Sequence, residues 1–412
     1  MKMFFALALS ALSLLACKPK NQQATPTAAA QDSLTHKNTP PKPDNAHYAP
    51  AFEGQTRAPQ VQTQTDYEVI LRSDKLQEPW GITPMPDGNL LLTENKGFMR
   101  LLNPETGEIL QDIKGFPDVD DRAQGGMLGL CLSPEFEQDR MVFWTFTERV
   151  ADGNHTAVAK GKLPQGADKI EQVQVIYRAS PTYDGRLHYG GRILFDDAGN
   201  LLVSIGERSD KQTRVKAQDL STSFGKIIRI TRDGQAVASN PFVDQPEALP
   251  EIYSYGHRNP QGLAIHPETR ALWSNEFGPR GGDELNLIEP GKNYGWPVIT
   301  YGVEYSGAEI GDPPIQQKEG MEQPVYYWDP VLSPSGMSFY SGDAIPEWKN
   351  NLFLAGLSSQ HIARLVLEDN RVVGEERLLA DKGERFRAIT EAKDGKLYAI
   401  SQSGKLFVIQ KK

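Results

Sequence analysis

Gly191-Arg-Ile-Leu-Phe-Asp-Asp-Ala-Gly-Asn-Leu-Leu-Val-Ser204 is the stretch that decides the fold. A glycine opens a short apolar run, a turn carrying Asp, Ala and Gly follows, and a second apolar run closes the unit. Two such runs about a glycine-bearing turn read as paired antiparallel strands. The unit recurs upstream as Gly81-Ile-Thr-Pro-Met-Pro-Asp-Gly-Asn-Leu-Leu-Leu-Thr93, and as Gly129-Leu-Cys-Leu-Ser-Pro-Glu-Phe136 with Met141-Val-Phe-Trp-Thr145. Downstream it returns as Gly262-Leu-Ala-Ile-His-Pro-Glu-Thr-Arg-Ala-Leu-Trp273, as Gly336-Met-Ser-Phe-Tyr340 leading to Asn351-Leu-Phe-Leu-Ala355, and as Ala388-Ile-Thr-Glu-Ala-Lys-Asp-Gly-Lys-Leu-Tyr-Ala-Ile400. Six copies spaced by roughly 50 to 75 residues suit four-stranded propeller blades with their loops. Neither a helical period nor a βαβ alternation competes. The expectation is an all-β chain, a six-bladed β-propeller with four-stranded blades over residues 61–412. Tyr67-Glu-Val-Ile-Leu71 is expected to close the ring against Lys405-Leu-Phe-Val-Ile409. Such a fold licenses no activity by itself.

Composition agrees with a turn-rich β chain. The 412 residues include 37 Gly and 29 Pro, with 39% hydrophobic residues to build a core. Lys and Arg number 44 against 53 Asp and Glu, a formal net charge of −9, and no basic block stands out. Nucleic acid is therefore not an expected partner.

The N-terminus reads as an address. Lys2 precedes an apolar run, Phe4 to Leu15, that is too short to span a bilayer. It ends Leu14-Leu15-Ala16-Cys17, which resembles a bacterial lipobox. Residues 1–16 are expected to be a lipoprotein signal peptide, and Cys17 the lipidated residue that anchors the chain to a membrane. An ordinary secretory signal with an incidental cysteine is the competing reading. Lys18 after the cysteine points to the outer membrane, hence to a periplasm-facing lipoprotein of the bacterial cell envelope. Residues 17–60, rich in Pro, Gln, Thr, Ala and Asn, are expected to form a flexible tether. The other cysteine, Cys131, lies in an apolar strand and reads as a small core residue.

The chemistry belongs to the loops. His188 stands at a strand entrance, where a histidine serves either as a general base or as a structural residue. Arg258 and Asn259 hold the same place in the next repeat, inside Ser254-Tyr-Gly-His-Arg-Asn-Pro-Gln-Gly262. A guanidinium there offers a planar fork to an anion, or staples a loop through its carbonyls. Arg385 and Arg387 precede the sixth repeat; their alternation puts both on one face of an extended strand, which suits a ligand with several carboxylates. A solvated basic pair beside Asp381 and Glu384 is the alternative. Gln124 heads the second repeat in the same way. Glu276-Phe-Gly-Pro-Arg-Gly-Gly-Asp-Glu-Leu-Asn286 supplies carbonyls and carboxylates, hard oxygen donors of the kind Ca²⁺ takes. Corresponding loops of successive blades meet at one end of the propeller axis, so these scattered groups are expected to converge.

Seven motifs then carry a resemblance. Gln124-Gly-Gly-Met-Leu-Gly129, Leu187-His-Tyr-Gly-Gly-Arg192, His257-Arg-Asn-Pro-Gln-Gly-Leu263, Glu276-Phe-Gly-Pro-Arg280, Asp283-Glu-Leu-Asn286, Asn293-Tyr-Gly-Trp-Pro297 and Arg385-Phe-Arg387 occur in the order found in soluble PQQ-dependent aldose sugar dehydrogenases. From about Tyr67 to the C-terminus the chain resembles that family. The resemblance implies His188 as the base that takes the proton of a sugar's anomeric hydroxyl, with hydride passing to PQQ and a lactone as product. It implies that Arg258 stabilises charge on the quinone oxygen, that Asn259 and Gln124 contact cofactor or substrate, and that Arg385 and Arg387 clamp the PQQ carboxylates. It also implies Ca²⁺ held by the carbonyls of Gly278 and Pro279, with Glu284, the Tyr294 carbonyl and Asp283 at positions used for structural calcium.

Two departures stand out. The family's best-known glucose oxidisers carry a lysine where this chain has Ser358, and an acidic residue where it has Leu187. Glucose specificity is therefore not carried over. His257 and Trp328 are expected near the pocket rim. The sequence names neither the sugar nor the electron acceptor. A non-catalytic calcium-stabilised propeller that binds glycans or envelope proteins, and a calcium-dependent propeller lactonase, are the alternative readings.

Overall fold

Residues 44–412 are described by a computed structural model of the chain. Residues 1–16, expected to be a signal peptide, and Cys17 lie outside those residues. Six antiparallel sheets of four strands each form the six blades of a propeller. Within the first five blades the strands follow in chain order, from innermost to outermost. Blade 3 holds the decisive stretch: Ile193–Phe195 pairs with Leu201–Ile205, then come Lys226–Ile230 and Ile252–Tyr255.

The repeated turns explain the hairpins. In Asp196-Asp-Ala-Gly-Asn200 the Gly199 N–H donates to the Asp196 carbonyl at 3.0 Å, and the Asp196 carboxylate accepts from Asn200 N at 2.7 Å. Gly199 sits at φ 77°, left-handed backbone that glycine adopts without a Cβ penalty. Met85 to Gly88 and Ala392 to Gly395 repeat the same closing hydrogen bond at 3.0 and 2.9 Å. A turn signal legible in sequence thus sets the hairpin register blade by blade.

Blade 6 is built from both ends of the chain. Its three inner strands are Phe386–Glu391, Leu397–Ser401 and Leu406–Lys411, and Tyr67–Ser73 supplies the outer one. Pairs such as Val69↔Ile409 and Ile70↔Val408 join them, as expected from the sequence. Closure by a terminal strand leaves no open edge between the first and last blades.

The core is six seams rather than one centre. Leu91, Trp144 and Phe146 fill the seam between blades 1 and 2, while Phe143, Val158 and Val203 fill the next. Strand Met141–Val150 shows why: neighbouring residues point to opposite faces, and both faces are covered by other blades. The runs Leu90-Leu-Leu92 and Leu201-Leu-Val203 are apolar throughout for the same reason. Trp144 is fully buried, edge-on to Phe116 at 5.1 Å, and its ring N–H has no partner among the described residues. Trp144→Ala is expected to cost about 3–5 kcal/mol of stability, and Trp144→Phe far less because no hydrogen bond is lost. Denaturant unfolding checks this; a loss near zero for alanine would show that the seams do not carry the fold.

The tether expectation fails for its last part. Residues 44–60 pack on blades 4 and 5. Gln55 is fully buried, donating to the Pro324 carbonyl at 2.9 Å, while its own carbonyl accepts from Tyr327 N at 2.8 Å. Asp329 accepts from the N–H groups of Asn45 and Ala46, and Gln60 bridges Glu375 in parallel. Few apolar residues are needed when backbone groups find partners on an outer strand, and composition alone does not reveal that.

Candidate active site

Every inner strand starts at the same end of the axis, so the segments that lead into the strands share one mouth. Five of the six inner strands shift register near that end: Pro79/Ile82, Met127/Leu130, Pro260/Gly262, Pro334/Met337 and Phe386/Ala388. A bulge re-aims the extra residue away from the ladder. Trp80, Gln261 and Arg387 are all bulge residues, and all three line a cavity of about 590 Å³. Gln124, His188, Gly278, Pro279, Asp283, Ser358 and Arg385 line the same cavity. Residues far apart in sequence are thus brought to one pit, as expected. Arg385 and Arg387 both reach it, although Arg387 does so from a bulge rather than by simple strand alternation.

His188 is held tightly. Its backbone sits at φ 50°, its N–H donates to Gln124 Oε1 at 2.8 Å, and it is buried. Gly190 follows at φ 66°, where a Cβ would meet the Ser204 carbonyl at 2.6 Å, so only glycine lets the loop lie this close. Nδ1 lies 3.0 Å from Glu207 Oε1. Glu207 is buried and also accepts from Ser209 N. The carboxylate holds the proton on Nδ1, which leaves Nε2 as a free lone pair. Burial, and then the positive charge of Arg258, hold the His188 pKa below its usual value; Glu207 pulls the other way. His188 is therefore neutral at pH 7 and able to take a proton.

A second histidine–glutamate pair shows what makes this one different. His257 Nδ1 lies 2.9 Å from Glu276 Oε1, the same 19 residues apart in sequence as His188 and Glu207. Its Nε2, however, meets the Ser254 hydroxyl at 2.8 Å, and its ring stacks on Tyr294 at 4.7 Å. His257 is wholly buried and does not line the cavity. Trp328 is also in the core, its ring N–H donating to Glu375 at 3.1 Å. The rim positions expected for both are corrected: His257 satisfies its ring nitrogens between blades 3 and 4, and Trp328 satisfies its ring N–H against blade 5.

Arg258 and Asn259 stand just behind the wall. Arg258 Nη1 donates to the carbonyls of Gly278 at 2.6 Å and Phe277 at 3.1 Å, and its guanidinium lies 5.2 Å from the centre of the Trp296 ring. Its Nε and the Asn259 Nδ2 are buried without partners among the described residues. Asn259 Oδ1 accepts from Gly190 N at 3.0 Å, tying blade 4 to the His188 loop. Ser358 shares a 2.6 Å hydrogen bond with Ser333.

The oxygen groups divide in two. Asp283, at the cavity, accepts from Gly278 N at 2.7 Å and Ser333 N at 2.6 Å; burial lifts its pKa to about 7 against those donors. Glu284 points away, paired in register with Glu276 on the neighbouring strand. Burial and the Glu276 charge raise the Glu284 pKa well above the carboxylate range. Asn286 Nδ2 donates to both carboxylates, and its Oδ1 has no donor among the described residues. The Tyr294 side chain bonds Leu287 and Glu289. No group of three or more His, Cys, Asp and Glu is arranged to hold a metal among the described residues, so a cation here would need backbone or amide oxygens.

Sequence reading missed Glu207, Trp80, Gln261 and Arg192. A comparison of strand exits among the repeats offers a signal for Glu207, since Glu94 and Glu276 occur at similar places. Nothing local marks a bulge residue.

Fold and cavity together define a propeller enzyme in which a carboxylate-held histidine faces a floor of arginines. Known proteins agree. The family model described as Glucose / Sorbosone dehydrogenase matches residues 76–408. Aldose sugar dehydrogenase YliI of Escherichia coli (strain K12) is 38% identical over 345 residues, covering 83% of this chain and 92% of that protein. The crystal structure of the soluble aldose sugar dehydrogenase of Escherichia coli in the apo-form has a TM-score of 0.80 at 37% identity, covering 84% of this chain and all of that one. The PQQ-bound form of an aldose sugar dehydrogenase from Streptomyces coelicolor has a TM-score of 0.69 at 28% identity, covering 85% of this chain and 99% of the other. This chain belongs to the glucose/sorbosone dehydrogenase family and is an oxidoreductase, which sets aside the non-catalytic reading.

Proposed function

We propose that the protein oxidises aldose sugars at the anomeric carbon to lactones, with PQQ as cofactor, Ca²⁺ beside it and His188 as the base. The observation that carries this reading is the open Nε2 of His188 at a cavity lined by Arg385 and Arg387 and backed by Arg192 and Arg258, none of them matched by a carboxylate. Arg192, Arg258, Arg385 and Arg387 form no ion pair among the described residues. A flat acid with several carboxylates would supply the missing charge, and the cavity has the size of a cofactor site. Bound PQQ supplies an electrophilic quinone able to accept the hydride of the anomeric C–H.

The side chains do the rest. His188 Nε2 takes the hydroxyl proton while Glu207 steadies the imidazolium that results. Arg258 adds positive potential beside the base and is oriented by the carbonyls of Phe277 and Gly278. Arg385 and Arg387 would hold the cofactor carboxylates. Ca²⁺ would find hard oxygens at the Gly278 and Pro279 carbonyls, where it supplies Lewis-acid polarisation. Glu284 with Asn286 Oδ1 suits a second, structural ion.

Purified apoprotein should reduce an acceptor dye when PQQ, Ca²⁺ and an aldose are all present, and a panel of sugars would define the preferred substrate. No reduction with any aldose would refute the reading. The rate should show an acid limb below about pH 6.5, because the base works only when neutral and its pKa is depressed. Glu207→Gln should lower kcat and move that limb to still lower pH, since the partner that favours the charged ring is gone. A limb that moves upward would contradict the assigned pair. We also propose a lipid on Cys17 and a periplasm-facing, outer-membrane location; mass spectrometry of the N-terminal peptide tests this, and an unmodified cysteine would refute it.

A further inference from the structure

The arginines that serve as structural staples have their guanidinium nitrogens met by carboxylates, amides or carbonyls. Arg100 meets Glu94 and Asp112, and Arg364 meets Glu376 at 2.7 Å and the Asn351 side chain. Arg208 donates to Asn154 Oδ1 at 2.6 Å and the Gly185 carbonyl at 2.9 Å. Arg192 is treated otherwise. Its Nε donates to the Gln261 carbonyl at 2.9 Å, and its guanidinium lies 4.2 Å from the centre of the Trp80 ring. Nη2 is shut off from solvent without a partner, and no carboxylate reaches the group among the described residues.

Its position is as telling as its lack of a counter-charge. From blade 3 the side chain crosses beneath Trp80 of blade 1, and a Cβ on Gly336 of blade 5 would lie 3.0 Å from Nη2. Trp80, Gln261 and Arg387 line the cavity; Arg192 does not, so it forms the layer behind them. Burial, and then the neighbouring charge of Arg387, pull its pKa down to about 9, which still leaves it cationic at pH 7. Keeping an unpaired cation half-buried in the wall costs stability, and its field reaches further there than in water.

We propose that Arg192 is a positioning residue for the anionic ligand: it presses the Trp80 ring into the cavity floor and adds a third positive charge behind Arg385 and Arg387. This rests on the reading of the cavity as a PQQ site. Arg192 touches neither ligand nor reacting atoms. It acts through the Trp80 face, the Gln261 carbonyl and the potential that the cavity presents to carboxylates.

The test is equilibrium binding rather than turnover. PQQ is titrated into calcium-loaded apoprotein while tryptophan fluorescence is followed, for the wild type and for Arg192→Met, Arg192→Gln and Arg192→Lys. Arg192→Met and Arg192→Gln should each weaken binding about tenfold and flatten its salt dependence, whereas Arg192→Lys should bind nearly as the wild type does. Arg192→Gln keeps a donor for the Gln261 carbonyl, so it guards against a methionine variant that fails to fold. If charge-free variants bind like the wild type, if lysine fails to rescue, or if neither charge-free variant folds, Arg192 is only a packing element and the proposal falls. A wild type that does not bind PQQ would instead overturn the functional reading itself.

Discussion

His188→Ala is expected to lower kcat by about 10²–10⁴ while PQQ still binds with unchanged affinity. The reason is local. His188 is the histidine whose Nε2 opens on the cavity, since the comparable nitrogen of His257 is taken by the Ser254 hydroxyl. Its Nδ1 is tied to Glu207 at 3.0 Å, so the ring can neither turn away nor present the wrong tautomer. Alanine removes the proton acceptor without touching the arginines. Activity measured by dye reduction and binding measured by fluorescence should therefore separate. Added imidazole should restore part of the rate if the lost function is proton transfer. Full activity in the alanine variant would remove His188 from the mechanism and leave the cavity without a base.

The second large effect belongs to Arg387. It is half-buried and its contacts are weak, 3.4 Å each to Gln261 Oε1 and Ser335 Oγ. Arg387→Met is expected to weaken PQQ binding by about 10²–10³, because truncating one member of a desolvated charge pair costs roughly 2–5 kcal/mol. The ligand-free protein should respond in the opposite sense, with stability kept or raised, since the lost group had no counter-charge to lose. Burial, and then the charge of Arg385, lower the Arg387 pKa to about 10, from an ordinary 12.5. A depressed base penalises the fold while both states are charged. The penalty is thus constant at neutral pH and eases only as pH climbs past about 10. Thermal melts and binding titrations on the same variant check both signs. Unchanged affinity would mean that the arginines do not hold the ligand.

Much of the site was legible because each blade repeats one plan. A glycine or asparagine turn marks the far end of each hairpin, so the opposite end, where His188, Gln124, Arg385 and Arg387 sit, follows by counting. Arg258 and Asn259 were found by the same logic, yet they stand behind the wall, hydrogen-bonded to the Gly278 carbonyl and the Gly190 amide of its lining. His257 and Trp328 looked like rim residues because a polar or aromatic side chain near a loop reads the same whether it faces solvent or a partner. Burial decided otherwise. The stretch 44–60 looked like tether for a related reason: composition reports how much apolar area a segment can bury, but not whether an outer strand offers it hydrogen bonds.

By itself the sequence determined the blade count, the closing of the ring by Tyr67–Ser73 and the loops that carry the chemistry, because strand alternation and turn residues act over a few neighbours. Tertiary structure alone decided that Glu207 orients His188, that bulges turn Trp80, Gln261 and Arg387 inward, and that Arg192 waits behind them without a counter-charge. Those contacts join residues from different blades or loops, and no local pattern records which distant side chain will arrive to satisfy a charge.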